Sequence, residues 1–357
     1  MDTTDTKSGE MQMSTAQGPK KSLGSKLLSF FLSCMPWAIV ATLLWAGIFV
    51  KPTPDVQVVI PPAIEDRDKI YGIAALTSET LWIVGNYGKI LRSEDAGQTW
   101  SGQDSTTEKH LQDISAWDSD HAVAVGNGGI VLVTENGGKT WDEIDVPRSE
   151  IANKLIRVHT YADGEAWAVG ELGMILHSVD YGRTWTRMRE EEDVIMNDLI
   201  KLDDGKIFVV GEYGRIFRSE DNGQTWQDDY TDSPSSLTAI DFRSPQHGVI
   251  VGLDGVILAT EDSGETWTMI SSDISGNTEH LMDVQWSEQI NKWVTVGNKS
   301  RWVRFSGDLT EFSASNLSPI DLSSHTELAV LDNGVIAVGA NVCTVDYEGN
   351  KYTTLGN

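Results

Sequence analysis

The dipeptide Val-Gly returns seven times along this chain, with its glycine at Gly85, Gly126, Gly170, Gly211, Gly252, Gly297 and Gly339. The intervals are 41, 44, 41, 41, 45 and 42 residues. A period near 40 residues restricts the chain to a stacked or circular repeat fold, because one unit of that length cannot bury its own apolar face. Each unit reads alike: an alternating run (Leu111-Gln-Asp-Ile-Ser-Ala-Trp117), a small apolar run (Ala122-Val-Ala-Val-Gly126), a glycine-containing turn, a third run (Ile130-Val-Leu-Val133) and a polar turn closed by Thr140-Trp141. Short β-rich runs cut by Gly, Asn and Asp predict strands in hairpins. No segment after Val50 has a sustained helical period. Four antiparallel strands repeated seven times predict an all-β fold, a seven-bladed β-propeller of four-stranded antiparallel blades over 70–357. Closing the circle protects the blade edges, which an open solenoid, the runner-up, leaves bare.

Residues 27–50 (LLSFFLSCMPWAIVATLLWAGIFV) hold no charge over 24 positions. As a helix they would reach roughly 36 Å, more than the roughly 30 Å hydrocarbon core of a bilayer, and Pro36 is placed to kink the helix or leave its first turn near the interface. Lys20, Lys21 and Lys26 precede the run and Lys51 alone follows closely, so the positive-inside tendency puts 1–26 in the cytoplasm and the rest in the periplasm or a lumen. The expectation is one retained transmembrane helix in the inner membrane. A cleaved signal peptide fits Trp45-Ala46-Gly47 poorly, and Phe31-Leu32-Ser33 before Cys34 is a weak lipoprotein box. A buried core helix has no place in the fold. Residues 1–26 are polar and aperiodic and read as a disordered tail, while 51–69 reads as a Pro52/Pro54 linker with a short strand at 56–60 that could pair with the last blade.

An eight-residue motif separates the third and fourth strands. It reads Ser93-Glu-Asp-Ala-Gly-Gln-Thr-Trp100, Thr134-Glu-Asn-Gly-Gly-Lys-Thr-Trp141, Ser178-Val-Asp-Tyr-Gly-Arg-Thr-Trp185, Ser219-Glu-Asp-Asn-Gly-Gln-Thr-Trp226 and Thr260-Glu-Asp-Ser-Gly-Glu-Thr-Trp267. Asp95, Asn136, Asp180, Asp221 and Asp262 are expected to accept amides of their own turn. The glycine two positions on supplies a positive φ. Trp100, Trp141, Trp185, Trp226 and Trp267 are expected to seal the seam beside each hairpin. The sixth unit (Ser306-Gly-Asp-Leu-Thr-Glu-Phe312) and the seventh (Thr344-Val-Asp-Tyr-Glu-Gly-Asn350) are degenerate.

The motif is identified as the Asp-box, or BNR, repeat. The longer pattern Val-Gly-x-x-Gly-x-Ile-x-x-Ser/Thr-x-Asp-x-Gly-x-Thr-Trp resembles the photosystem II assembly factor family called Ycf48/HCF136 over 70–357. The resemblance implies a periplasmic or lumenal propeller that helps assemble or stabilise an integral membrane complex without catalysis, through an arginine-rich surface patch. This chain departs from such a patch: its 27 Lys+Arg face 53 Asp+Glu, a net charge of −26, and the part after residue 50 carries −27. That balance excludes nucleic-acid phosphates as partners and leaves the client open between a photosystem and a transporter.

Strand order predicts two faces. The box turns and first-to-second-strand loops share one, and the Val-Gly turns and inter-blade connectors share the other. On the second face Tyr87, Glu171, Glu212, Tyr213, Asp254 and Lys299 follow the Val-Gly glycines, and the connectors add the acids of 190–193 and 228–229. They make a candidate docking face, or an acidic surface that serves solubility. In the sixth unit Arg301, Trp302 and Arg304 form the densest basic-aromatic patch, read as an interaction hot spot with an exposed aromatic or as drift.

The third position of each innermost strand holds Gly72, Asp113, Arg157, Asp198, Ala239, Asp283 and Glu327. These would ring the central channel, as a cation site or, preferably, as carboxylates closing their own blades. Sialidases and other glycosidases also carry Asp-boxes, so a hydrolase or glycan-binding propeller is the alternative. Their chemistry calls for three convergent arginines with a tyrosine nucleophile, and only Arg157 lies in the ring. The seven histidines show no metal spacing, Cys34 and Cys343 form no zinc or disulfide framework, and no phosphate loop or GxSxG elbow occurs. No catalytic residue, cofactor or metal site is expected.

Overall fold

The computed structural model describes residues 22–50, 62–65, 67–270, 278–318, 320 and 322–355. It divides into two units, 1–60 and 61–357. In the first, one helix spans Leu23–Phe49. It starts four residues before the uncharged run because the Ser22 hydroxyl caps it by accepting the Ser25 amide. It is long and apolar enough to cross a membrane. The strand expected at 56–60 lies outside the described residues.

The second unit contains seven four-stranded antiparallel sheets, each built from four consecutive strands. The innermost strands are Ile70–Ala75, Leu111–Ala116, Leu155–Thr160, Met196–Lys201, Leu237–Ser244, Leu281–Ser287 and His325–Leu331. The second strands are buried at every position in Ala122–Gly126 and Ile207–Gly211, and at all but the first residue in His247–Gly252 and Lys292–Gly297. Both faces of such a strand are covered by a neighbouring blade, which is why these runs are continuous apolar sequence and do not alternate with polar residues. Ala122 and Ala124 pack with Trp82 and Val84 of blade 1, while Val123 and Val125 pack with Ala166 and Ala168 of blade 3. Seven such clusters fill the seven seams, and the last joins Ile336 and Val338 of blade 7 to Ile70 and Ile83 of blade 1. The ring is closed.

Every innermost strand carries a register shift before its third residue, for example between Leu111 and Asp113 and between Met196 and Asp198. A bulge inserts one unpaired residue and re-aims the side chain next to it. It recurs in all seven blades. It sets the geometry of the channel.

The Val-Gly glycines have a different role from the one their turns suggested. Their backbone is extended, with φ −164° at Gly85 and −178° at Gly126, so no left-handed conformation requires them. A Cβ on any of the seven would collide with the carbonyl oxygen of the connector entering the same blade, Lys69 for Gly85 and His110 for Gly126. The amide of the residue after the glycine donates to that same carbonyl, at 2.9 Å from Asn86 to Lys69 and from Asn127 to His110. Glycine is required by close approach.

Candidate functional site

The box carboxylates are satisfied within their own turns. In blade 4 the Asp221 carboxylate accepts the Thr225 amide at 2.8 Å, the Thr225 hydroxyl at 2.7 Å and the Ser219 hydroxyl at 2.8 Å. Asp95, Asp180 and Asp262 repeat this set, and Asn136 uses its amide pair on Thr140. The Thr225 hydroxyl and amide hold the Asp221 carboxyl down at about 2. The degenerate turns keep part of the device, since Asp308 accepts from Thr310 and Asp346 from the Asn350 amide. The tryptophans divide. Trp141 and Trp185 are buried, but Trp100, Trp226 and Trp267 are half-buried, and the fully enclosed indoles are Trp82, Trp167, Trp293 and Trp302 inside second and third strands.

The bulges aim a girdle of carboxylates into the channel, and each binds the next blade as well as, or in place of, its own. Asp113 accepts the Ile114 amide at 2.7 Å and the Val158 amide of blade 3 at 2.8 Å. Asp198 reaches Ile240 of blade 5 at 3.0 Å, Asp283 reaches Leu328 of blade 7 at 2.9 Å, and Glu327 reaches Ile73 of blade 1 at 3.3 Å. The expectation that these groups close their own blades holds only in part: Asp113 and Asp198 also accept the next amide of their own strand, but the bulge turns each of the four side chains across the seam. Blade 5 has Ala239 at the ring position, and Asp241, two residues on, takes over by accepting the Trp286 amide of blade 6 at 2.7 Å. The ring alignment missed Asp241. Its signal was a carboxylate on the same strand face, two positions past the gap. Between blades 1 and 2, Gly72 has no side chain because a Cβ would lie 2.6 Å from the Asp113 Cα.

Arg157 crosses the channel. Its guanidinium lies 2.9 Å from Glu327, 3.6 Å from Asp198 and 3.8 Å from Asp283. It separates two vestibules. One, of about 330 Å³, is lined by the bulge residues Tyr71, Gln112, Ile156, Asn197, Thr238, Met282 and Thr326. The other, of about 360 Å³, is lined by His159, Tyr161, Lys201 and Asp241. Burial pushes Asp241 up to about 7, helped by Asp283 and Asp198. Burial likewise takes Asp283 to about 7 against the pull of Arg157. Burial also acts on Asp198, but His159, bonded at 2.8 Å, and Arg157 outweigh it and hold Asp198 below its ordinary value. Among the described residues no three His, Cys, Asp or Glu groups are arranged to hold a metal ion.

On the connector face the first residue after each Val-Gly and the second part company. Asn86, Glu171 and Glu212 turn inward, accepting the amides of Lys69, Lys154 and Ile195 at 3.0, 2.9 and 3.0 Å. Glu171 and Glu212 are therefore clasps on the connectors. Tyr87, Tyr213, Asp254 and Lys299 occupy left-handed turn positions, with φ between 52° and 60°, and are exposed. Asp254 accepts the Ser235 hydroxyl and Lys299 pairs with Glu279. The sixth-blade patch does not assemble. Trp302 is wholly buried between blades 6 and 7, in strand Arg301–Ser306. Arg304 bonds the Tyr347 carbonyl and Glu348, and Arg301 bonds Asn316. The alternation of a strand put the indole inside, where no partner reaches it.

These features define a seven-bladed propeller whose hairpins end in Asp-x-Gly-x-Thr-Trp turns. The sequence model of the family described as photosynthesis system II assembly factor YCF48 matches residues 100–229 and 189–261. Among solved structures, YCF48 bound to a D1 peptide is similar, with TM-score 0.63 and 17% identity over 76% of this chain and 90% of that one. YCF48 from Cyanidioschyzon merolae gives TM-score 0.64 and 14% identity over 79% and 96%. The GH74 xyloglucanase from Xanthomonas campestris gives 0.63 and 14% over 78% of this chain and 52% of its own. Comparison with curated proteins returns no match. The chain is a Ycf48-like seven-bladed propeller.

Proposed function

We propose that the chain is a membrane-anchored, non-enzymatic assembly or stability factor that holds an extramembrane segment of an integral membrane complex on its connector face. One observation carries this reading. The box carboxylates and the girdle carboxylates are committed to the fold, whereas Tyr87 and Tyr213 stand 71% and 64% exposed on the connector face. Exposed aromatics on rigid turns are effective anchors for a protein partner. The solved complex of YCF48 with a D1 peptide supports a peptide segment as the kind of ligand. The helix Leu23–Phe49 would serve as the anchor in an inner membrane, with the N-terminus in the cytoplasm and the propeller in the periplasm or a lumen. Tethering raises the local concentration of a weak binder near membrane clients. The client is a photosystem or, in a non-photosynthetic cell, a transporter.

The test is capture from detergent-solubilised membranes by the full chain and by its Tyr87→Ala/Tyr213→Ala variant. Recovery of an integral membrane protein that the variant loses is expected. Equal recovery by both, or recovery of soluble glycans alone, overturns the proposal. The hydrolase alternative rests on fold likeness to GH74 enzymes. In the channel, Arg157 faces Glu327, Asp198 and Asp283, the reverse of a pocket for a substrate carboxylate.

A further inference from the structure

The exposed aromatics of the connector face are not equivalent, and those of blade 4 are seated on a built floor. Tyr230 ends the outermost strand Gln227–Tyr230, is 68% exposed and pairs in register with Arg215. The Arg215 guanidinium lies under it, 5.4 Å from its ring centroid and 4.5 Å from that of Phe217. Arg215 is itself buried and clamped by Asp228 and, at 2.6 Å, by Glu192 of the incoming connector. Tyr213 stands two residues before Arg215 at φ 60°. The next residue, Gly214, lies so close to the Ser233 carbonyl that a Cβ there would strike it, and its own carbonyl accepts the Thr231 amide at 3.0 Å. Two phenol rings thus project into solvent from hydrogen-bonded backbone, one from a turn and one from the end of a strand. Tyr87 of blade 1, by comparison, leans edge-on against His110, 5.2 Å away.

The charge around this pair has one sign. Arg189 and Arg215, the cations below, are taken up by Glu192 and Asp228. Glu190, Asp193 and Asp232 are exposed and have no ion-pair partner among the described residues. Two exposed tyrosines on either side of Arg215, with carboxylates on the connectors entering and leaving the blade, favour a cationic side chain laid on a ring face, with its charge near the acids.

We infer that the Tyr213–Tyr230 surface of blade 4 docks an arginine- or lysine-bearing extended segment of a protein partner. This deepens the proposed function, resting on its assignment of the connector face as the docking face, and it inverts the charge expected from an arginine-rich propeller patch. The rings supply contact area at low entropic cost, and the acids of 190–193 and Asp232 supply steering that salt screens.

The experiment uses the full chain in neutral detergent and a fluorescein-labelled peptide of arginines alternating with serine and glycine, followed by anisotropy at low and high salt. A second peptide carries glutamate in place of arginine. Binding of the arginine peptide alone is expected. Tyr213→Ala/Tyr230→Ala should weaken it about tenfold, while Val179→Ala, at an exposed apolar residue of the blade-3 box turn, leaves it unchanged. Glu190→Gln/Asp193→Asn/Asp232→Asn should flatten its salt dependence. Equal binding of both peptides, or an arginine-peptide affinity indifferent to the two tyrosines, overturns the inference. If it fails while membrane capture still depends on Tyr87, the proposed function stands and only the blade-4 assignment falls.

Discussion

Asp241 and Asp262 belong to the same blade and to the same residue type, and they titrate in opposite directions. Asp241 sits in the girdle and accepts two backbone amides, from Phe242 at 2.8 Å and Trp286 at 2.7 Å, yet burial carries it to about 7. Asp262 sits in a box turn, accepts the Thr266 hydroxyl at 2.6 Å and its amide at 2.9 Å, and is held below its ordinary value. Comparable hydrogen bonding gives opposite results because one group has lost its water and the other has not. The inner carboxylates join blades at an electrostatic cost that Arg157 offsets. The outer ones shape a turn at little cost. Inner and outer substitutions should therefore differ in size and in pH dependence.

The largest effect is expected from Arg157→Met. It strands Glu327, Asp198 and Asp283 without their shared cation, which should cost about 3–5 kcal/mol in urea unfolding at neutral pH. The loss should shrink in acid, where the carboxyls are protonated, and an unchanged midpoint would remove Arg157 from the account. Next comes the pH dependence of the parent. Folded Asp241 and Asp283 titrate near 7 against an ordinary 3.8, so between these values the folded chain keeps protons that the unfolded chain has released. Their contribution is full below about 4 and lost as pH rises through about 7. The melting temperature should therefore be on the order of 5 °C higher at pH 5 than at pH 8. Asp241→Asn/Asp283→Asn should flatten that slope, and a slope that survives the pair assigns it to Asp113 and Glu327, which burial also raises, or to the overall negative charge.

Smaller again is Gly72→Ala, whose new Cβ meets the Asp113 backbone. A loss of about 1–3 kcal/mol is expected, with Gly102→Ala, which meets only Leu91 at 3.8 Å, as a near-neutral control. The smallest is Asp262→Ala, about 1 kcal/mol, as for the loss of other side-chain caps. Calorimetry that ranked it above Arg157→Met would invert the comparison between girdle and turn.

The sequence period exposed the blades because a repeat writes its fold seven times, and residue identity exposed the box turns because their bonds are local. The girdle was half legible. Alignment found Asp113, Asp198, Asp283 and Glu327, but which blade each would grip depends on a bulge that no residue type marks. Asp241 escaped by sitting two residues out of register. Trp302 was misjudged because charge density on either side of it, at Arg301 and Arg304, hid the alternation of its strand. The Val-Gly glycines announced themselves plainly, yet their reason, a connector carbonyl from a residue some sixteen positions earlier, is a tertiary fact.

Each described sheet is drawn from one uninterrupted stretch of chain, and the seam between blades 7 and 1 is joined by side chains: Glu327 to the Ile73 amide, the Thr326 hydroxyl to the Tyr71 carbonyl, and Ser78 to Asp332. A genetic duplication or loss of about forty codons would thus add or remove a whole wedge and leave no orphaned half-sheet. How many wedges a descendant can carry is then a question of curvature at the hub, where one arginine must still reach acids from three other blades.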